Sequence, residues 1–140
     1  MSELAVDASV AVKWFLPEIH GDAALRVLER HAPLVAPDLL FAEVGNVLWK
    51  RARRREASMQ EARATLTALV KLPLHVYPSR SLIHLALEIA DRAGRSVYDS
   101  VYVALAVLRR CQLVTADRRL YDALRRGPFS ASLLWVAEVE

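Results

Sequence analysis

The sequence predicts an α/β fold, a three-layer sandwich in which a mostly parallel sheet of about five short strands has helices on both faces. Two observations lead to this prediction. Short apolar runs of strand length alternate along the whole chain with longer segments of helical periodicity. The chain has 140 residues, 54% hydrophobic and 25% charged, which is the balance of one compact domain over residues 1–140.

The first half of the chain is predicted to form two strands and four helices. "ELAVDAS" contains a short strand, and two helical segments follow it, "VAVKWFL" and "DAALRVLERH", separated by Pro17 and Gly21. "PLVAP" is a second buried strand. "DLLFAEVGNVLWKRARRRE" is a long helix whose arginines gather at its C-terminal end, where they suit the helix dipole. "SMQEARATLTALVKL" opens with Ser58 and Glu61 at the spacing of a capping box.

The second half continues the alternation. "LHVYP" is a strand and "SRSLIHLALEIADRAG" is a helix that Gly94 ends. The next segment, "GRSVYDSVYVALAVLRRC", is apolar on nearly all faces, which predicts a helix buried on both sides. The tail supplies a strand in "LVTAD", a helix in "RRLYDALRRG" and a strand in "LLWVAEV".

Composition excludes several classes of protein. The single cysteine, Cys111, excludes a disulfide framework and a cysteine-rich zinc site, and it favours a reducing cytoplasmic location. Asp7 and Lys13 interrupt the apolar N-terminus, which argues against a signal peptide, and no apolar run approaches the roughly 20 residues of a membrane span. The net charge of +3, with arginine in excess of lysine, points only weakly to nucleic acid, because compositional bias and solvated helix faces are the favoured explanation from charge alone.

Two carboxylates follow predicted strands. Asp7 comes after "LAV" and Asp117 after "LVTA". Ligand sites of open α/β sheets form at the carboxyl ends of the strands, so both residues are candidates for a functional site. Aspartate is also a preferred helix N-cap, and capping is the alternative explanation for each residue.

Two further carboxylates lie on predicted helices. Glu43 lies at the border of the apolar stripe of its helix, with Asn46 nearly one turn further on, and a carboxylate there needs a partner; an arginine partner is the alternative to a functional role. Asp99 lies in the first turn of the apolar helix. Its spacing from Ser96 is that of a capping box, so it either closes the helix start or belongs to a buried acidic site.

Taken together, these four carboxylates predict a cation site. Like charges at one edge of a sheet repel and raise one another's pKa unless a cation neutralises them. All-oxygen ligation favours Mg²⁺ or Mn²⁺. Such an ion activates water and stabilises charge on a phosphodiester, which predicts hydrolysis of a nucleic-acid backbone.

Four motifs in order along the chain resemble the PIN-domain ribonucleases, and specifically the VapC-type toxins of toxin–antitoxin pairs. They are "VDASVAVKWFLPE", "APDLLFAEVGNVLWK", "YDSVYVALA" and "LVTADRRLYDAL". The resemblance implies that an acidic catalytic pocket holds Mg²⁺ or Mn²⁺, with Asp7 and Asp99 as its principal ligands. The full acidic set is Asp7, Glu43, Asp99 and Asp117, and polar positions that commonly flank such a pocket are matched by Ser9, Asn46 and Thr115.

The same resemblance implies a PIN-like sandwich, cleavage of RNA, a small antitoxin protein that inhibits the enzyme, and a homodimer. The departures are small. Ser100 stands where the family often has alanine, and the turn "RRREAS" lacks a glycine often found there. Neither departure changes a carboxylate.

The basic stretch after Glu43 is a candidate RNA contact. It lies two to three turns further along the same predicted helix, roughly 10–18 Å away at 1.5 Å per residue, and so outside the acidic pocket. Phosphate contacts are predicted for Arg51, Arg53 and Arg54. A solvated helix end or an antitoxin contact is the alternative.

Other classes of protein remain as alternatives at this point. A receiver-like signalling domain would need adjacent acids after the first strand, and a phosphatase with an aspartate nucleophile would need an acid at Ser9. An idle module that binds RNA or an antitoxin would keep the basic stretch and use the acids only as caps. The four histidines are scattered without metal-ligand spacing, and the three tryptophans are assigned to the core or to a dimer surface.

Overall fold

The computed structural model describes residues 2–140, and these contain a five-stranded sheet in which every pairing is parallel. The order across the sheet is β3-β2-β1-β4-β5. The five predicted strands are confirmed, and the sheet is wholly rather than mostly parallel. The strands are β1 (Leu4–Val6), β2 (Leu34–Pro37), β3 (Leu74–Tyr77), β4 (Gln112–Thr115) and β5 (Leu133–Trp135).

Seven α-helices lie within residues 2–140, each in a segment predicted to be helical. Two of those segments differ in detail. The "VAVKWFL" segment is tightened into a 3₁₀ turn after one α-helical turn, and a 3₁₀ turn over residues 79–81 precedes the fifth helix. The helices are α1 (Ala8–Ala11), α2 (Gly21–Glu29), α3 (Leu39–Arg53), α4 (Met59–Val70), α5 (Ile83–Ala93), α6 (Val97–Arg109) and α7 (Arg118–Leu124).

Both faces of the sheet are covered. Every residue of β1 and of β2 is buried. Because successive side chains of a strand point to opposite faces, complete burial requires a layer on each side of the sheet. Strand β3, at one edge, keeps all its side chains at least partly exposed. The predicted three-layer arrangement is confirmed.

Helix α6 is the central helix of one layer. Residues 100–106 are all buried, and the helix packs on β1, β2 and β4 with α5 against it. This confirms the burial that its apolar sequence predicts. Among residues 2–140 no helix is both long and apolar enough to cross a membrane.

The strand order creates a switch point between β1 and β4. From β1 the chain moves outward through β2 to β3, and then returns to the other side of β1 to add β4 and β5. Asp7 directly follows β1, and Asp117 lies two residues after β4. Ligands of open α/β sheets bind in the crevice at such a switch point. The topology therefore brings two of the predicted acids to the expected edge.

Ser100 gives a prediction about stability. Its side chain is 1% exposed, and its hydroxyl has no hydrogen-bond partner within residues 2–140. An unsatisfied buried polar group costs about 1–3 kcal/mol, so Ser100→Ala is expected to raise the free energy of unfolding by about 1 kcal/mol in urea denaturation. As a control, Ser96→Ala removes the N-cap hydroxyl that accepts from Asp99 N, and it should lower the free energy of unfolding by about 1 kcal/mol. Destabilisation by Ser100→Ala would contradict this account.

Candidate acidic active site

Asp7 lies at the centre of a hydrogen-bond network between β1 and β4. Its Oδ1 accepts from Ser9 Oγ at 2.5 Å and from Val10 N at 3.2 Å, and its Oδ2 accepts from Thr115 Oγ1 at 2.5 Å. The contact with Val10 makes Asp7 the N-cap of α1. The capping explanation is therefore correct, but it accounts for only one of the two carboxylate oxygens.

The hydroxyl groups of Ser9 and Thr115 each accept one hydrogen bond from a backbone N, which fixes the direction in which each hydroxyl donates. Ser9 Oγ accepts from Ala116 N at 2.9 Å, and Thr115 Oγ1 accepts from Asp117 N at 3.1 Å. Each hydroxyl has one proton and gives it to Asp7. Oδ1 of Asp7 thus receives two donors, whereas Oδ2 receives only Thr115 among residues 2–140. Oδ2 keeps a lone pair for a further ligand.

The charged form of the Asp7 carboxylate is disfavoured in the folded protein. Burial raises its pKa from the ordinary 3.8 to about 6, although the hydrogen bonds from Ser9, Thr115 and Val10 favour the charged form. The neighbouring charge of Asp117 raises the pKa further. A bound cation would relieve both the burial cost and the repulsion.

Asp117 caps a helix through only one of its two carboxylate oxygens. Its Oδ1 accepts from Arg119 N at 3.0 Å and from Leu120 N at 3.2 Å, which makes it the N-cap of α7. Its Oδ2 accepts no hydrogen bond from residues 2–140. As with Asp7, the predicted capping role is present and leaves one oxygen available.

Glu43 projects from the middle of α3 toward α6. Its Oε1 accepts the hydroxyl proton of Tyr102, so the partner is a tyrosine rather than the arginine considered as an alternative. Burial raises the pKa of Glu43. The hydrogen bond from Tyr102 lowers this pKa, and the charge of Asp99 raises it further. Burial and Glu43 also raise the pKa of Tyr102, so the phenol stays protonated and donates.

Sequence reasoning missed Tyr102 as a partner of Glu43, because Tyr102 lies in a helix whose apolar sequence predicts burial in the core. A signal was present: Tyr102 follows Asp99 by three residues, so the two share one face of α6.

The carboxylate of Asp99 takes no part in capping helix α6. Its backbone N donates to Ser96 Oγ at 3.1 Å, which forms half of the predicted capping box. The carboxylate takes no part in the other half: Oδ2 accepts from Arg95 Nη2 at 3.0 Å. The side chain is 29% exposed. Capping therefore does not explain the charge at this position.

The acids influence one another through their charges. Asp117 acts on Asp7 by its charge, and Asp99 acts in the same way on Glu43. The charges of Glu43, Asp7 and Asp99 all raise the pKa of Tyr102. Within residues 2–140 no three Asp, Glu, His or Cys side chains are grouped closely enough to hold one ion. The convergence of all four acids on one cation stays a prediction.

The donor chemistry nevertheless fits a hard divalent cation. Mg²⁺ takes oxygen ligands and is usually bound through one or two carboxylates together with water. Asp99, Glu43 and Asp117 each accept hydrogen bonds from residues 2–140 through one carboxylate oxygen, whereas Asp7 accepts two on Oδ1 and one on Oδ2. The site thus offers positioned carboxylates with unused acceptor capacity.

The other predicted residues lie outside this network. Asn46 is exposed on α3 and makes no side-chain hydrogen bond within residues 2–140. Arg51 pairs with Glu18 at 2.6 Å, and Arg53 lies 5.7 Å from the ring centroid of Trp49. Arg54 is exposed at the C-terminal end of α3. Their predicted roles stay predictions.

Comparison with known proteins identifies the class to which this fold and acidic edge belong. The model of the PIN domain matches residues 4–125, a range that includes all four acids. Ribonuclease VapC3 of Pyrobaculum aerophilum is 36% identical over 122 residues, which cover 86% of this chain and 93% of that protein. The chain belongs to the PIN-domain family and, within it, to the VapC ribonucleases.

Solved structures show the same fold. The crystal structure of PAE2754 from Pyrobaculum aerophilum has a TM-score of 0.72 and 26% identity, with coverage of 96% of this chain and 84% of that one. A toxin–antitoxin complex from Klebsiella pneumoniae has a TM-score of 0.69 and 16% identity, with coverage of 97% and 99%. The resemblance carried by the four motifs is confirmed, and membership of this family removes the receiver-like and phosphatase alternatives.

Proposed function

We propose that this chain is a divalent-metal-dependent endoribonuclease that hydrolyses RNA phosphodiester bonds as the toxin of a toxin–antitoxin pair. The observation that carries the proposal is Asp7, a buried carboxylate at the switch point of the sheet with an unused lone pair on Oδ2. Its relatives are named ribonucleases, and this supports RNA as the substrate.

The acids hold the cation, Mg²⁺ or Mn²⁺, with Asp7 and Asp99 as principal ligands and Asp117 and Glu43 completing the set. When bound, the cation lowers the pKa of a water molecule and stabilises charge on the phosphodiester. Ser9 and Thr115 orient Asp7 by donating to its two oxygens. Glu43 is held by Tyr102 through Oε1, and its Oε2, which accepts no hydrogen bond from residues 2–140, can accept a proton from the attacking water.

A small antitoxin and a second copy of this chain are the proposed protein partners. Similarity of fold to a chain in a toxin–antitoxin complex supports the antitoxin. Leu87 on α5 and Leu108 on α6 are more than half exposed, which supports an apolar interface between two copies. Arg53 and Arg54 stay candidate RNA contacts, whereas the ion pair of Arg51 with Glu18 competes with such a role.

Cleavage and stability in the presence of metal test this function. Purified protein is expected to cut single-stranded RNA with Mg²⁺ or Mn²⁺ and to lose this activity in EDTA. Because the cation binds only the folded site, metal at about 100 times its dissociation constant should stabilise the fold by about 2.7 kcal/mol, observed as a higher melting temperature. RNA binding without cleavage in either metal would favour the idle binding module, and an unchanged melting temperature would contradict a cation site.

A further inference from the structure

A cation–aromatic stack lies beside the acidic site. The guanidinium carbon of Arg118 is 3.9 Å from the ring centroid of Trp135 and 5.9 Å from that of Tyr121. Trp135 is itself held by two rings, with His20 edge-on at 5.6 Å and Tyr121 tilted at 5.5 Å. These four residues, Arg118, Trp135, Tyr121 and His20, form what is called here the Arg118 stack.

The sheet fixes where this stack lies. Trp135 of β5 is paired with Thr115 of β4, and strands in a sheet are about 4.8 Å apart. Thr115 is the residue whose hydroxyl donates to Oδ2 of Asp7. Arg118 begins α7 directly after Asp117. Trp135 therefore lies on the strand next to the one that carries Thr115, the hydrogen-bond partner of Asp7. Arg118 directly follows Asp117, another acid of the site, in the sequence.

The guanidinium in the Arg118 stack is accessible to solvent while it lies on an aromatic ring. The Arg118 side chain is 55% exposed, although one of its faces rests on a buried indole. Its ion pair with Asp122 at 3.7 Å joins two side chains that are each more than half exposed, and such pairs contribute little. Stacking restricts the side chain before any ligand arrives, so less conformational freedom is lost on binding.

A nucleic-acid backbone is the ligand that this arrangement suits. A planar guanidinium binds phosphate through two parallel hydrogen bonds, and stacking on a ring leaves its edges free to donate. The acids of the neighbouring site repel a polyanion, and a fixed cation beside them offsets that repulsion. By contrast, Arg51 is already paired with Glu18 at 2.6 Å.

We infer that Arg118, held on Trp135, binds a phosphate of the RNA backbone next to the acidic site. This inference rests on the proposed ribonuclease function and adds a substrate-binding residue to it. The adjacent Arg119 provides a matched control, because it is exposed on the same helix turn but lies over no aromatic ring within residues 2–140.

The test compares Arg118→Ala, Arg118→Lys and Arg119→Ala in an Asp99→Asn background that leaves RNA intact. Binding of a fluorescein-labelled polyuridylate oligonucleotide is measured by anisotropy over a salt series. Arg118→Ala is expected to weaken binding about tenfold and to flatten the slope of log affinity against log salt by about 0.7, the value for one phosphate contact on a single strand. Arg118→Lys should keep the slope and lose part of the affinity, and Arg119→Ala should change affinity by less than about twofold.

Several results would overturn the inference. Binding curves of Arg118→Ala that superimpose on those of the parent, or an equal loss in Arg119→Ala, would do so. A lower melting temperature of Arg118→Ala with unchanged RNA affinity would make the stack purely structural. Competition by polyglutamate as strong as by unlabelled polyuridylate would assign it to an acidic protein segment. If wild-type protein cuts RNA and Arg118→Ala binds it normally, only this inference fails; if wild-type protein neither cuts nor binds RNA, the ribonuclease function fails with it.

Discussion

Replacing Asp99 by asparagine is expected to lower the rate of RNA cleavage by about two to three orders of magnitude, the usual cost of losing one group that stabilises charge at a reacting centre. The amide keeps the shape of the side chain and removes the charge that the cation needs. Cleavage of single-stranded RNA in Mg²⁺ is the measurement. The fold should persist, because Ser96 still caps α6 through Asp99 N and the lost ion pair with Arg95 is partly exposed.

A matched control separates a local role from a general loss of acidity. Asp91→Asn removes an exposed carboxylate from α5 and should leave cleavage and melting temperature unchanged. Cleavage by Asp99→Asn at the wild-type rate would mean that this acid serves only its contact with Arg95. A large fall in the melting temperature of Asp99→Asn would instead attribute the lost activity to unfolding.

Asp7 is expected to make the metal-free protein lose stability as the pH rises. Its pKa of about 6 in the folded protein exceeds the ordinary 3.8, so the folded state binds this proton more tightly than the unfolded state. The contribution is complete below about pH 4 and is lost as the pH rises through about 6. At 1.36 kcal/mol per pKa unit the loss is about 3 kcal/mol.

Comparison with Asp7→Asn isolates this effect, because the amide stays neutral at every pH. Urea denaturation in EDTA is measured at several pH values between 4 and 8 for both proteins. The difference in free energy of unfolding, wild type minus variant, should fall by about 2.5 kcal/mol over that range, since the rest of the effect lies below pH 4. Added Mg²⁺ should restore wild-type stability more at high pH than at low pH, since the cation competes with the proton. A difference independent of pH would contradict the raised pKa.

The sequence predicted the fold because the relevant signals are local. Strand-length apolar runs and helical periodicity depend on neighbouring residues, and all five strands form within the predicted segments, although the fifth ends at Trp135 and a 3₁₀ turn over residues 136–138 follows it. Asp7 and Asp117 were identified as candidates because each follows a strand that the pattern itself defines. Their capping roles were also foreseeable, since a cap contacts backbone groups only two or three residues away.

The partners of the acids are contacts between distant parts of the chain. Thr115 reaches Asp7 over 108 residues, and Tyr102 reaches Glu43 over 59. Ser9 and Thr115 were proposed from family resemblance, whereas Tyr102 was not, because an aromatic residue in an apolar helix is ordinarily part of the core. Asn46 shows the converse: its spacing from Glu43 is suitable, yet it faces solvent.

The class of fold, the four acids and the motifs that identify the family are all predictable from the sequence. The hydrogen-bond partners of Asp7 and Glu43, and the position of Arg118 on Trp135, follow from the tertiary structure. The physical reason is that periodicity specifies which face of an element is buried. Which side chain meets a buried charge depends on strand order and on helix packing, because the β1–β4 and β4–β5 pairings bring together segments far apart in the chain.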